Sequence, residues 1–417
     1  MENALECYRQ NLARAYAWSA VTRCASSVGS SFSPLDEELG LLPGSLTPAL
    51  AEHVAYMGTL LPFGAARGLA ERCFRVALSE PTVRRRTYAA GEAAQASEAA
   101  FVTKLEKSLE RSPVKGPARQ QVSADGAMVR IKGGEWKEVR SLVIGTVSAG
   151  KDGPEVSEQS YYSRLCDHDT FIRGSRGEFF RRGTENVRDV GAVMDAAEWL
   201  GQLTEEHCAH AVSILDFNHG SAAVVGAGHA ALGEGNEACA AWIGPQLHEL
   251  RHGDPATVLA AMLALTEDSN LSPSAVETIN GRHNYLARRA DQIQYATFTR
   301  AGYCIGSGIV ESANKHVVQA RLKGAGMQWA PASVNAILAL RCADKSDRWS
   351  SMWSDLTPRL RAQHRKMPAP ARITVEAPPL PHPPVPAGPT HPPYFENGKP
   401  TKAHPYKRFP ATGHAKL

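Results

Sequence analysis

No run of 18 apolar residues occurs anywhere in the 417-residue chain, so no membrane-spanning helix is expected. Cysteine is sparse and scattered, at Cys7, Cys24, Cys73, Cys166, Cys208, Cys239, Cys304 and Cys342. No two lie at the two-residue gap of a zinc knuckle, and the chain is far too long to be a disulfide scaffold. The pairs His207/His210 and Cys208/Cys239 also lack zinc-ligand spacing, so no structural zinc is expected. The first twenty residues show no basic segment followed by an apolar core, so no secretory leader is expected and reduced thiols in a cytoplasm fit best. A large excess of one charge is absent too: 46 Lys and Arg stand against 42 Asp and Glu, for a net +4. Nothing global therefore marks a nucleic-acid partner. Local clusters still matter, because a phosphate backbone feels charge only across roughly 8–10 Å.

What is present is ordinary for a water-soluble globular protein: 43% hydrophobic and 21% charged residues, with length for roughly two or three domains. Residues 1–45 are ambiguous. From Leu46 to about Leu109 apolar residues recur at three- and four-residue steps, a helical pattern. SPVKGPARQQ (112–121) reads as a linker. The period then switches: VSADGAMVRI (122–131) and EWKEVRSLVIGTV (135–147) are strands joined by a Gly-Gly turn, and SEQSYYSRL (157–165) is a third strand. A helix (167–187), a short apolar GAVMD (191–195), a helix (196–207) and a short AVSILDF (211–217) follow. A meander followed by alternating helix and strand implies an α/β fold, a mixed sheet with helices on both faces. Residues 220–296 are helical without strand signal. A helix opens after Gly308 and closes at Gly324. The last 50 residues hold 14 of the 27 prolines and cannot build a packed core.

Four acids sit at telling places: Asp125 within the first strand, Asp195 ending the fourth, Asp216 ending the fifth, and Glu311 on the late helix. Two-metal phosphoryl transfer needs a few carboxylates converging on Mg²⁺ ions about 3.5–4 Å apart, and these can come from distant segments. Each acid also has a plain structural role open to it. Asp125 precedes Gly, as turn residues do, Asp195 can cap the next helix, and Glu311 suits a solvated first helical turn. Taken together on a meander-then-alternating pattern, they match the RNase H-like architecture, which carries acids on strand one, strand four and the last helix.

SADGAMVRIKGGEWKEVRSLVIGTV (123–147), ILDFNHG (214–220), GSGIVESANKHVVQARLKGAGMQW (306–329) and NGKPTKAHPYKRF (397–409) resemble the ISKra family of bacterial insertion-sequence transposases, as do QLHELRHGDP (246–255) and DRW (347–349). The resemblance runs from about residue 35 to the C-terminus, and the motif around Glu311 is its most specific part. It implies a DDE transposase with an RNase H-like catalytic domain, a helical insertion before the final Glu, and dependence on Mg²⁺ (or Mn²⁺), two ions. In related DDE families the second Asp ends strand four, and a separate Asp-or-Cys, two residues, His motif follows. On that pattern Asp195 is the second metal ligand beside Asp125 and Glu311, while Asp216 and His219 fill the later motif. Asp216 is the alternative ligand. Ala196 stands where the family usually has Gly. His219 is either a catalytic base or ligand, or a satisfied histidine packed beside the site.

LTPALAEHVAYMGTLL, PFGAARGLAERCF and EPTVRRRTYAAGEAA read as three helices, the last two in helix-turn-helix order across RVALS, at about 46–95. Six Arg against two Glu lie between Arg67 and Arg86, and Arg84, Arg85 and Arg86 are candidate phosphate or base contacts. Lys315, Arg321 and Lys323 follow Glu311 and are candidates to neutralise DNA phosphates. In the tail Lys399, Lys402, Lys407 and Arg408 interleave with Tyr394, Phe395, Tyr406 and Phe409, a composition that suits DNA contact or an inert tail equally. The expected organisation is a helical DNA-binding domain (1–111), an RNase H-like domain in two parts (116–219 and 297–350), a helical insertion (220–296) and a Pro-rich basic tail (351–417). The expected partners are double-stranded DNA, as terminal inverted repeats and target, and further copies of the chain on that DNA. The expected place is the bacterial cytoplasm, at the nucleoid. The rival functions are an RNase H-like nuclease or resolvase without strand transfer, and a DNA-binding regulator that keeps the fold without the activity.

Overall fold

The computed structural model describes residues 39–42, 46–108, 110–151 and 153–366, with two-residue strand pairs at Arg23–Cys24 with Ser31–Phe32 and at Phe395–Glu396 with Lys399–Pro400. Pro368–Leu417 is a unit of its own, and that second pair is its described part. Tyr394, Lys402, Tyr406, Lys407, Arg408 and Phe409 lie outside the described residues.

Three helices come first in the continuously described part: α1 (Pro48–Leu60), α2 (Phe63–Phe74) and α3 (Glu80–Ser108). Thr47 caps α1 by accepting from Leu50 N, and Pro48 sits at its start, where a missing N–H costs nothing. Arg75 ends α2 in the left-handed region at φ 55°. The RVALS turn separates α2 from α3, as the sequence suggests. At 29 residues, however, α3 is a long strut rather than a short reading helix.

Five strands follow: β1 (Arg119–Arg130), β2 (Trp136–Gly150), β3 (Gly153–Arg164), β4 (Asp189–Met194) and β5 (Val212–Leu215). They form one mixed sheet in the order β3-β2-β1-β4-β5. The meander β1–β2–β3 is antiparallel; β4 and β5 add parallel to β1. Gly133 and Gly134, at φ 97° and 90°, make the β1–β2 turn, which a side chain would strain. The fold is α/β. Alternation sends Val122, Ala124, Leu142 and Ile144 to one face, under α4 (His168–Arg182) and α5 (Glu198–Cys208). Ala127, Val129 and Val139 go to the other face.

The 220–296 region is helical as expected: α6 (Phe217–Leu232), α7 (Glu237–His252), α8 (Pro255–Ala264), α9 (Pro273–Ala287) and α10 (Tyr295–Arg300). Their core joins Val224, Leu250, Val258, Met262, Ile279 and Leu286 to Val193 and Ile214 of the sheet. Next comes α11 (Gly308–Ala313), which runs into a π-helical turn at Asn314–Gln319 and a last turn at Ala320–Leu322. Finally α12 (Pro331–Lys345) and α13 (Trp349–Lys366) complete the described chain.

Two features differ from the sequence reading. The first is that the tail does not begin at residue 351, because α13 runs to Lys366 and buries Trp353, Leu356 and Leu360. The second is that the N-terminal helices do not keep a core to themselves. Val54, Val83, Ala90 and Ala94 pack with Ala339 and Leu340 of α12 and with those α13 residues. At the crossing a Cβ on Gly91 would lie 2.2 Å from the Ala336 carbonyl oxygen, so only glycine lets α3 and α12 approach this closely.

A candidate carboxylate site on the sheet

The site grows out of strand register. Gln121 pairs with Gly191 and Val122 with Ala192. Carrying that register three residues on brings Asp125 level with Asp195, just past the end of β4. Both acids then share the face of Val193 and Ser123, since neighbours two apart on a strand point the same way. That face is covered by α11: Val143 of β2, the partner of Ser123, packs on Val310 and Ala313.

Glu311 stands exposed on α11. Three residues on, and so one helical turn away on the same side, Asn314 donates from Nδ2 to Asp125 Oδ2 at 2.8 Å. Asn314 opens the π turn, a kind of distortion found mostly where a helix is bent to a task. Asp125 Oδ1 accepts from Gly126 N at 2.7 Å. Burial pushes the Asp125 carboxyl above the ordinary Asp range; the Gly126 N–H opposes this, and the negative charge of Asp195 adds to it. Asp195 is half-buried and accepts from Ala197 N at 2.9 Å through Oδ1, so it ties down the connection to α5 without capping that helix.

Asp216 has a different environment. It is fully buried and caps α6, accepting from His219 N (3.2 Å) and from His219 Nδ1 (3.1 Å) on Oδ2. Its Oδ1 accepts from Ser307 N at 2.6 Å. Phe217 N donates to Ile305 O, and Gln121 Nε2 donates to Gly306 O at 3.0 Å. Asp216 and Gln121 thus clamp the 305–307 segment that launches the Glu311 helix. Both Asp216 oxygens are engaged inside the protein, and its side chain is closed to solvent. His219 has its Nδ1 side held by Asp216 while its side chain stays 51% exposed. It is near enough to Asp125 to lower that carboxyl's pKa.

A comparison with protein-family models finds no match to the chain, and one with curated proteins finds none either. The site's own chemistry therefore has to carry the functional reading.

Among the described residues no three His, Cys, Asp or Glu side chains are gathered as a ready metal cluster. The donor set nonetheless suits a hard cation: two carboxylates side by side, one of them pushed toward protonation by burial and by the other's charge, a repulsion that a divalent ion relieves. A surface hollow of about 480 Å³ is lined by Glu106, Arg173, Arg176 and Glu206, among others. Those side chains already pair as Arg173–Glu106 and Arg176–Glu206, and none of the site acids lines it.

The basic candidates divide. Arg84 and Arg85 are exposed on α3, whereas Arg86 is half-buried and burial lowers its pKa. Lys315 and Lys323 are exposed. Arg321 is not available to a phosphate, which corrects the sequence reading. It is 2% exposed, its guanidinium lies 4.7 Å from the Phe63 ring centroid and 4.9 Å from that of Trp329, and Nε donates to Gly58 O. Burial pushes its pKa down to about 10. It is a buried strut between α1, α2 and the end of the Glu311 helix. Two residues beside the acids were not singled out from sequence, Asn314 and Tyr285. Asn314 was detectable as the residue three after Glu311, whereas Tyr285 comes near Asp195 only through the fold.

Proposed function

We propose that the protein is a DNA transposase of the DDE type, with an RNase H-like catalytic sheet that cuts the ends of a mobile element and joins them to target DNA. The observation that carries the reading is the β1–β4 register, which sets Asp125 beside Asp195 on the face that the Glu311 helix covers. The strand order β3-β2-β1-β4-β5, with only the second strand antiparallel to both its neighbours, supports the RNase H-like part. Helices between β5 and α11 fit an insertion before the last acid.

Asp125, Asp195 and Glu311 would hold Mg²⁺ or Mn²⁺, which supplies activation of a water or 3′-hydroxyl and stabilisation of the leaving oxygen. Asn314 orients Asp125, Asp216 fixes the start of the Glu311 helix, and His219 offers a half-exposed nitrogen to a proton beside the acids. Exposed Arg84, Arg85, Lys315 and Lys323 supply cations for DNA phosphates.

The test uses labelled duplexes from the DNA flanking the reading frame and a supercoiled target plasmid. Wild type with Mg²⁺ is expected to nick the element end and join it to the plasmid. Asp125→Asn, Asp195→Asn and Glu311→Gln should each lower both steps by at least about 10³-fold, since a neutral amide is a poor ligand for a hard cation. Cleavage without joining would make the protein a nuclease. Full activity in all three variants would refute the site.

A further inference from the structure

Beside the carboxylates, the end of α9 and the two residues after it carry a basic and aromatic ledge. Arg289 lies over Tyr285, with its guanidinium carbon 4.5 Å from the ring centroid and Nη1 donating to the Tyr285 carbonyl at 2.7 Å. Hydrogen bonds anchor the ledge to the site. Gln292 N donates to Arg289 O, and Leu215 N at the end of β5 donates to Gln292 O at 2.9 Å. The next residue is Asp216. Helix α9 runs back along α6, since a Cβ on Gly226 would meet Arg282 Nε at 3.1 Å, while Gly220, nearer the start of α6, faces Tyr295 beyond the end of α9. The Tyr285–Arg289 end therefore lies toward the first turn of α6, where His219 is exposed. Arg282 and Arg288 are exposed on either side, and Tyr285 and Arg289 are half-buried. The Tyr285 hydroxyl is held above its ordinary pKa by burial first, against the lowering influence of Arg289, and Asp195 and Asp216 add to the rise.

A guanidinium held over a ring by a backbone hydrogen bond keeps its other planar face for a base. The flanking arginines supply the charge for that nucleotide's phosphates. We propose that Tyr285 and Arg289 form a stacking ledge that takes an unpaired nucleobase next to the reacting phosphate. The base, the guanidinium and the tyrosine ring make three layers, and Arg282 and Arg288 hold the adjoining phosphates. The proposal rests on the transposase reading, in which a strand end must lie across Asp125 and Asp195.

The experiment measures binding of a fluorescein-labelled oligo-dT single strand of about 20 nucleotides, and of a duplex of equal length, by anisotropy with the full chain in Ca²⁺. Tyr285→Ala is expected to weaken single-strand binding about 5- to 150-fold, the range for loss of one stacked base. Tyr285→Phe keeps the ring and should stay near wild type, and duplex affinity should change less than about 2-fold. Unchanged single-strand affinity in Tyr285→Ala overturns the ledge and leaves the transposase reading standing. A wild-type chain that binds neither probe overturns both. If Tyr285→Ala melts early, Arg289→Lys, which keeps the charge and loses the plane, decides the matter: a comparable loss supports the ledge, and wild-type affinity overturns it.

Discussion

Asp125 and Asp216 show how neighbours divide the work of chemically identical side chains. Asp216 spends both oxygens on backbone N–H groups and His219, inside the protein. Asp125 keeps its carboxylate half-open beside Asp195, and burial together with that second charge favours its protonated form. A raised carboxyl pKa has a definite sign. In the metal-free protein it stabilises the fold below the ordinary Asp range, and that contribution is lost as pH rises through the raised value. On the proposed reading, a proton would compete with Mg²⁺ at Asp125 at a higher pH than at an ordinary Asp. The rise in melting temperature on adding Mg²⁺ should be full at pH 8 and fade as pH falls toward the carboxylate range. In Asp125→Asn it should be nearly absent at every pH, while Asp216→Asn should keep most of it from a lower starting stability. A Mg²⁺ shift that survives in Asp125→Asn would remove that residue from the ligand set.

At the scale of elements, α3 and α12 set the geometry of the helical half. A glycine inside an α-helix normally costs about 1 kcal/mol against alanine, so Gly91→Ala should stabilise on helix propensity alone. Here the added methyl would strike the Ala336 backbone, which cannot rotate away as a side chain can. Overpacking of this kind costs about 1–3 kcal/mol, which outweighs the gain. Thermal denaturation should show Gly91→Ala melting below wild type; a higher melting point would mean that the crossing is looser than the structure has it. The β1–β2 hairpin is simpler, because its Gly-Gly turn, Val- and Ile-rich strands and alternation are local properties. They could be read in the sequence to within a few residues. Helical character out to Ser108 was legible too, in apolar steps that run to about Leu109, but that the second half continues as one helix and sets Phe101 against Phe180 of α4 shows only in the fold.

Across the whole molecule, helices from the two ends of the described chain share one core. Ion pairs bind them to the sheet side as well: buried Glu178 of α4 accepts two bonds from Arg348 (2.7 and 2.9 Å), and Arg164 of β3 pairs with Glu98 of α3. A reading helix that could melt or swing on its own is not what such packing gives. Leu356→Ala, at a fully buried position, should cost about 2–5 kcal/mol. Far-UV circular dichroism and tryptophan fluorescence should report one coincident unfolding transition, shifted to lower denaturant. Separate transitions, with only the first moving, would show that the N-terminal helices fold independently.

By itself the sequence determined the local and periodic features: strands from alternation, the α/β order from the switch of period, and four acids at the ends or centres of elements. Periodicity reports which face of an element is apolar, and turn chemistry reports where it stops, so both are written in neighbouring residues. Tertiary structure alone decided which acids meet. Asp125 and Asp195 stand together because two parallel strands run at a 70-residue offset, and Asp216 is buried because the segment before Glu311 folds over it. It also decided that Arg321 is a buried strut rather than a surface cation, and that α3 shares its core with α12 and α13. Such outcomes depend on contacts between residues tens to hundreds apart, and no local pattern records which partner a buried face or a charge will find.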